Sequence, residues 1–454
     1  MKYLLNTYLS KNTKAANLAV FRVFFGLMML FSTIRFLSYG WVDKLYIQPK
    51  FFFSYFGFEW IKPLGIYTYF LFAVCFVTSI LITIGYKYRF SIVLFFLCFT
   101  YIELMDKTTY LNHYYFVSCL SFMLMFLPAN ATFSIDAYLN PLKQKLIIPK
   151  WNIDCIKVML FIVYFYAGLA KLNSDWLLSA MPLKIWLPSN YDLPLLGSLL
   201  QKEWVHYAFS WGGALYDLLI PFLLLYKPTR WLGFFLVIMF HVLTRILFPI
   251  GVFPFVMIVS ALIFFDASFH EKLIQKTSKL LSLKPIKQDG VSNQIDTISN
   301  HKIPLLILGL FLIIQLLLPW RYLAYKNELF WTEEGYRFSW RVMLMEKAGY
   351  AQFKVVDKEK GTSFLVDNDD FLSSFQEKQM STQPDFILQY AHFLANHFSD
   401  NGEKNIAVYV ESYVALNGRL SQPYVDPKVD LVEEKDSFKP KKWILNFNDD
   451  IKGF

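Results

Sequence analysis

Charge and cysteine are both scarce in this chain, and each shortage excludes something. Only 17% of the 454 residues are charged and four are cysteine, whereas a soluble domain carries about 25% charged residues. The four cysteines (Cys75, Cys98, Cys119 and Cys155) stand in or beside apolar stretches, and none falls after residue 320. A disulfide framework is thereby excluded from the C-terminal region. There is no CxxC, no HExxH and no cluster of His and Cys at ligand spacing, so no metal centre is expected. Basic residues form no tract interleaved with base-stacking aromatics, and no nucleic-acid partner is expected.

What the chain has instead is apolar matter, 56% of its residues, with 19% aromatic. That is a membrane composition, and it comes in blocks suited to helices of about 17–25 residues. Nine blocks stand out: 17–39, 66–85, 90–106, 111–128, 155–171, 207–226, 231–249, 252–267 and 303–320. The first carries Arg22 and Arg35 and lacks a small-residue cleavage site, so it reads as a retained helix rather than a signal peptide. The expected fold is an integral membrane all-α bundle of about nine transmembrane helices (residues 1–320). A small exterior α+β domain follows (residues 321–454).

Lys and Arg in short loops set the orientation. Lys2, Lys11 and Lys14, then Lys87 and Arg89, the 129–150 loop, Lys227 and Arg230, and the lysine-rich 268–302 stretch are all basic. With nine spans and a cytoplasmic N-terminus, every one falls on the cytoplasmic side, and residues 321–454 fall in the periplasm or an organelle lumen. That region holds 17 Lys and Arg against 21 Asp and Glu. The net charge of +9 therefore belongs to the membrane part and its loops.

Within 321–454, Phe353–Asp357 and Thr362–Val366 flank Lys358-Glu-Lys-Gly361 and read as a hairpin. Residues 385–398 have helical periodicity, Asn405–Val414 alternates like a strand, and Gly418–Pro423 can return beside it. The 268–302 stretch, rich in Lys, Ser and Gln, reads as a flexible connection.

Three polar clusters interrupt the apolar blocks. One is Asp106-Lys107-Thr-Thr-Tyr-Leu-Asn112-His113; another is Lys171-Leu-Asn-Ser-Asp175-Trp176. The third comprises Asp217, His241 and Arg245. The topology gathers Lys171, Asp106, Lys107, His113 and His241 near one outer surface, and convergent titratable groups beside apolar surface make a site hypothesis. An ammonium set against ten apolar residues loses hydration and gives up its proton more readily, which would make Lys171 a base. Plainer roles stand beside these. Lys171 can snorkel to the interface, Asp106 and Lys107 can form a turn ion pair, His113 can anchor the interface, and Asp217 and His241 can satisfy one another.

The same residues carry a resemblance. Asp106-Lys-Thr-Thr-Tyr-Leu-Asn-His-Tyr-Tyr115 and Phe161-Ile-Val-Tyr-Phe-Tyr-Ala-Gly-Leu-Ala-Lys-Leu-Asn-Ser-Asp-Trp176 resemble the vitamin K-dependent γ-glutamyl carboxylase family. So do Leu18–Gly26, Trp211–Asp217, Gly233–His241, Phe248–Phe255, Phe338-Ser-Trp340 and Tyr424–Asp430. The resemblance implies a membrane enzyme that oxidises reduced vitamin K, or a menaquinol, with O2 to the epoxide. The strong base so formed removes a γ-proton from a peptide glutamate, and the carbanion takes up CO2. It implies a catalytic role for Lys171, which deprotonates the quinol, and for His113 in the carboxylation half. The expected quinol- and substrate-binding set is Asn112, Asp106, Lys107, Asp175, Trp176, His241, Asp217, Trp340 and Met343. Expected partners are membrane lipid, an isoprenoid quinol and a secreted Glu-containing protein.

Two departures from the family pattern matter. Ala170 stands where members often carry a first lysine, and Arg341-Val-Met-Leu-Met-Glu346 replaces a more acidic, histidine-bearing stretch of the animal enzymes. The second leaves open a quinol epoxidase that carboxylates nothing. A non-enzymatic lipid or quinone carrier is the other reading, although the chain shows none of the internal repeats expected of transporters.

Overall fold

The structure is a computed structural model and describes residues 2–282, 302–400 and 405–453. All nine apolar blocks form helices. They are α1 (Ala16–Ser38), α2 (Thr68–Ile84), α3 (Tyr88–Met105), α4 (Asn112–Phe126), α5 (Trp151–Leu169), α6 (Glu203–Leu225), α7 (Arg230–Leu247), α8 (Phe253–Ala261) and, after α9 (Ala267–Leu280), α10 (Lys302–Leu317). Seven of these, counted with the short turns that extend α2, α7 and α10, are long and apolar enough to cross a membrane. The other two blocks give shorter helices: α4 has 15 residues and α8 has 9, continued by a tight turn at Leu262–Phe264.

The stretch 268–302 is not the flexible connection expected along its first half. Phe269, Leu273 and Leu280 recur at helical spacing, and α9 forms on them, bent 115° away from the preceding α8 segment. Lysine-rich composition hid this amphipathic helix. Residues 283–301 lie outside the described residues.

Contacts sort the connections to two ends of the bundle. At one end Asn12–Lys14 pairs antiparallel with Ile147–Pro149, Lys14 meets Glu271, the backbone of Lys87 and Tyr88 donates to Asp136, and Arg230 meets Asp266. Arg22, fully buried in α1, serves this end too: its guanidinium donates to the carbonyls of Ala129, Thr83 and Phe133. Thr83 lies in the last turn of α2, where carbonyls lack helical partners and a cation is favoured. At the other end, residues 51–54, 106–112 and 173–175 meet the C-terminal domain.

That domain is a four-stranded antiparallel sheet, ordered β2–β1–β3–β4. Its strands are β1 (Lys347–Asp357), β2 (Thr362–Leu365), β3 (Ile406–Leu416) and β4 (Gln422–Pro423). The expected hairpin is β1–β2, with Lys354 opposite Leu365. The expected helix is α12 (Pro384–Asp400), preceded by the short α11 (Ser374–Met380). Alternate residues Val408, Val410 and Val414 of β3 point inward onto Phe386, Tyr390 and Leu394 of α12. The same apolar core runs on into Phe53, Trp176, Leu183 and Leu247 from the bundle. The exterior domain and the outer loops of the bundle thus share one buried surface.

One charge cluster pins that surface. Asp385, near the start of α12, accepts from Lys107 at 2.6 Å and from Arg337 at 2.7 Å. Burial alone would raise its carboxyl, but Arg337 and Lys107 together hold it well below the usual carboxylate range. Removing the anion leaves two largely buried cations facing one another. Asp385→Asn is therefore expected to destabilise the protein by about 3–5 kcal/mol, read as a lower Tm. A carboxyl held down by folding stabilises the fold above its unfolded pKa, about 3.9. Wild type should keep this contribution at pH 5 and above and lose it as pH falls below about 4, whereas Asp385→Asn should show no such loss from this position.

Candidate active site

Helix α5 ends at Leu169, and Lys171 lies two residues beyond it, still buried. Its ammonium donates to the carbonyl of Ala167 at 3.1 Å and to the carboxylate of Asp217 on α6 at 2.8 Å. The two helices approach closely because residue 168 is glycine. A Cβ there would sit 2.7 Å from the backbone nitrogen of Leu218. Trp176 closes the third side, its ring centroid 5.3 Å from the ammonium, a cation–π distance. Lys171 is therefore not snorkelling to water but is held inside the wall by an anion, a carbonyl and an aromatic face.

The segment between Lys171 and Trp176 is fixed at every residue that can be gripped. Asn173 accepts from the Trp176 amide at 2.9 Å and donates to the carbonyl of Ala170 at 2.9 Å. The amide of Ser174 donates to the carbonyl of Lys452 at 2.7 Å. Asp175 points away from Lys171, into the exterior domain. Arg419 donates to both its oxygens at 2.7 Å, and Asn417 adds a third bond at 2.8 Å.

Lys171, Asp217 and Trp176 line a cavity of about 90 Å³. Its other walls are apolar: Val163, Phe209, Phe240, Phe248, Phe253 and Met257. His241 of α7 completes it. The imidazole Nε2 lies 3.2 Å from the hydroxyl of Tyr164, and Nδ1 is buried without a hydrogen-bond partner. Asp217 and His241 therefore do not satisfy one another; each has its own partner.

A cleft of about 780 Å³ adjoins this cavity, between the bundle and the exterior domain. His113, Asn112 and Lys107 line it, with Arg35 and Arg341. Trp186, Phe248, Ile250, Phe253, Val342 and Met343 line both spaces. Phe253 stands between the two histidines, its ring 5.8 Å from His113 and 5.5 Å from His241. Part of the exterior side of the cleft is Arg341, Val342 and Met343 of an irregular strap, 338–343, in which Phe338, Trp340 and Met343 have φ of 60°, 59° and 52°. Bulky residues rarely adopt this conformation, and strain of this kind collects at ligand clamps.

Other expected site residues stand elsewhere. Asp106 accepts from the Thr108 amide at 2.9 Å and from Gln376 at 3.3 Å, so it caps a turn and touches the exterior domain. Its neighbour Lys107 pairs with Asp385 rather than with Asp106. Trp340 is fully buried and stacks on Tyr115 at 4.9 Å, outside both spaces. Asn112 donates to the carbonyl of Arg341 at 3.0 Å, tying α4 to the strap. Tyr164, Phe253 and Arg35 were not singled out from sequence. Arg35 had a usable signal, an arginine inside an apolar block; Phe253 is one phenylalanine among 47.

Fold and site together define a multi-pass membrane protein in which a buried lysine and a buried histidine line adjoining spaces beside the exterior domain. Residues 10–269 match a family described as HTTM domain, and residues 300–450 match the vitamin K-dependent gamma-carboxylase, lumenal domain. The chain belongs to the vitamin K-dependent γ-carboxylase family. No solved structure matches it.

The grip on Asp175 is testable without any assay of function. Arg419→Ala leaves a buried carboxylate with only Asn417, and a Tm drop equivalent to about 3 kcal/mol is expected. Arg419→Lys should recover less than half of it, because a point charge cannot reproduce the two-pronged contact. Full recovery by lysine would show that charge alone holds the segment.

Proposed function

We propose that this protein is a quinol-dependent γ-glutamyl carboxylase. In this reading it couples oxidation of reduced vitamin K or a menaquinol to carboxylation of a glutamate in a secreted protein. The observation that carries the reading is the Lys171–Asp217 pair in an apolar cavity that adjoins a larger cleft containing His113. The aromatic walls suit a planar ring, and the unpaired Nδ1 of His241 suits a ligand hydroxyl. The quinol is a co-substrate that supplies, on reaction with O2, the strong base for proton removal from glutamate.

The chain's own residues bind, orient and move protons. Lys171 takes the quinol's hydroxyl proton as general base. Its contacts with Asp217 and the carbonyl of Ala167 hold the side chain at the cavity wall, where the quinol hydroxyl would reach it. Trp176 and His241 orient the ring, and Phe209, Phe240 and Phe248 exclude water that would quench a strong base. Across Phe253, His113 serves the carboxylation half, with Asn112, Lys107 and Met343 around the glutamate. Asp106, Asp175 and Trp340 act through what they hold in place. The N-terminus is cytoplasmic, and residues 321–454 form a periplasmic or lumenal domain, as the basic loops at the opposite end suggest.

Purified protein given reduced vitamin K, O2, labelled bicarbonate and a glutamate-rich peptide should yield epoxide and fixed label. Epoxide without label would reduce the reading to an epoxidase; quinol binding with neither product would leave a carrier. His113→Ala is expected to lower label fixation about 10²–10⁴-fold, the range for a lost acid–base group, and epoxide much less. Equal losses would contradict the division of roles. A cysteine introduced at 360–370 should be labelled only from the periplasmic or lumenal side.

A further inference from the structure

The large cleft carries an excess of positive charge. Six basic side chains line it (Arg35, Lys107, Arg337, Arg341, Lys347 and Lys378) against two acidic ones, Glu333 and Glu346. Most of the six are answered by the protein itself. Lys107 and Arg337 share Asp385, Lys347 pairs with Glu333 at 2.9 Å, and the Arg341 guanidinium lies over the ring of Tyr322 at 4.7 Å. Lys378 is exposed to water. Arg35 differs from all of these. It is half-buried in the last turn of α1, and among the described residues its guanidinium has no hydrogen-bond or ion-pair partner.

Its position is nonetheless fixed. The guanidinium carbon lies 4.6 Å from the ring centroid of Trp41 and 5.3 Å from that of Tyr39, so two aromatic faces hold the side chain without consuming its N–H groups. Gly251 stands beside it: a Cβ there would come within 3.4 Å of a guanidinium nitrogen. That glycine belongs to the 248–253 turn, whose Phe248, Ile250 and Phe253 line both the cleft and the Lys171 cavity. The Arg35 charge is in range of His113 and Tyr114 and acts on both. An arginine that only anchored the lipid interface would also stack on Tyr39 and Trp41. Such an anchor needs no place in the lining of the cleft beside His113.

We propose that Arg35 binds the γ-carboxylate of the glutamate that is carboxylated. The assignment rests on the carboxylase reading for the identity of its ligand. A guanidinium offers five N–H donors in a fork that matches a carboxylate, and none of Arg35's is taken by the protein. The reaction gives the pairing a purpose. The carbon that loses its proton is bonded to the γ-carboxylate. When the C–H bond breaks, the proton goes to the base formed from quinol and O2. The electron pair left behind delocalises into the carboxylate, which gains negative charge, and the same pair then forms the bond to CO2. A fixed cation at that carboxylate stabilises the doubly charged state more than the resting one, which is the kind of help that speeds a step.

The test uses the full-length protein in two assays. Equilibrium binding compares a glutamate-rich peptide with the same peptide carrying glutamine. Wild type is expected to bind the glutamate form more tightly, and Arg35→Gln to lose about tenfold or more on that form alone. Turnover uses a glutamate peptide tritiated at the γ-carbon, with reduced vitamin K, O2 and labelled bicarbonate. Arg35→Gln should lower tritium release and fixed label about 10²–10³-fold, the range for one lost charge-stabilising donor, and Arg35→Lys should recover part of both. An unchanged glutamate preference in Arg35→Gln, or equal weakening of both peptides, would overturn the proposal, because a lost anchor or a packing defect affects the two alike. So would a wild type with no preference for glutamate. If Arg35→Gln removes a clear preference and yet wild type fixes no label, the carboxylase reading fails and the carboxylate site at Arg35 survives it.

Discussion

A lysine ammonium inside an apolar wall has to be answered by an anion, and the architecture around Lys171 follows from that demand. An unpaired buried charge is far too costly to persist. Asp217 answers it at 2.8 Å, from the neighbouring helix. The contact requires α5 and α6 to lie close, which Gly168 permits. It also requires the segment after α5 to hold still, and there the bundle calls on the exterior domain. Arg419 and Asn417 grip Asp175, while Lys452 meets Ser174, so the segment that follows Lys171 is clamped by the exterior domain.

The exterior domain is accordingly part of the site rather than an appendage. Its apolar core continues into Trp176 and Leu183, and the strap 338–343 lines both the small cavity and the larger cleft through Val342 and Met343. Three bulky residues of the strap at positive φ indicate a backbone held by its surroundings. The Lys107–Asp385–Arg337 cluster then locks the domain over the loop that precedes His113. A shared wall that includes Phe248, Phe253 and Met343 places the proposed halves of the chemistry next to one another.

The sequence made the bundle legible because lipid demands long apolar runs, and all nine runs became helices. The β1–β2 hairpin and α12 were legible for a similar reason, since alternation and helical spacing are local properties. Lys171, Asp217, Trp176 and His241 do converge. Contacts between distant parts of the chain were not legible. Asp175 looked like a neighbour of Lys171 in sequence, yet its partner is 244 residues away. Lys107 looked paired to the adjacent Asp106, but a turn points the two side chains apart and Asp385 takes the lysine. Trp340 belonged to a motif, and the fold buries it within the strap, stacked on Tyr115. Composition misled once, at α9, where a lysine-rich surface concealed a helical stripe.

The central claim is that the Lys171 side chain is the base that starts quinol oxidation. It is tested most directly by the rate of epoxide formation in Lys171→Ala, compared with wild type at saturating reduced vitamin K and O2. The account predicts a loss of about 10²–10⁴-fold with quinol binding retained. Epoxide formation at the wild-type rate would contradict it.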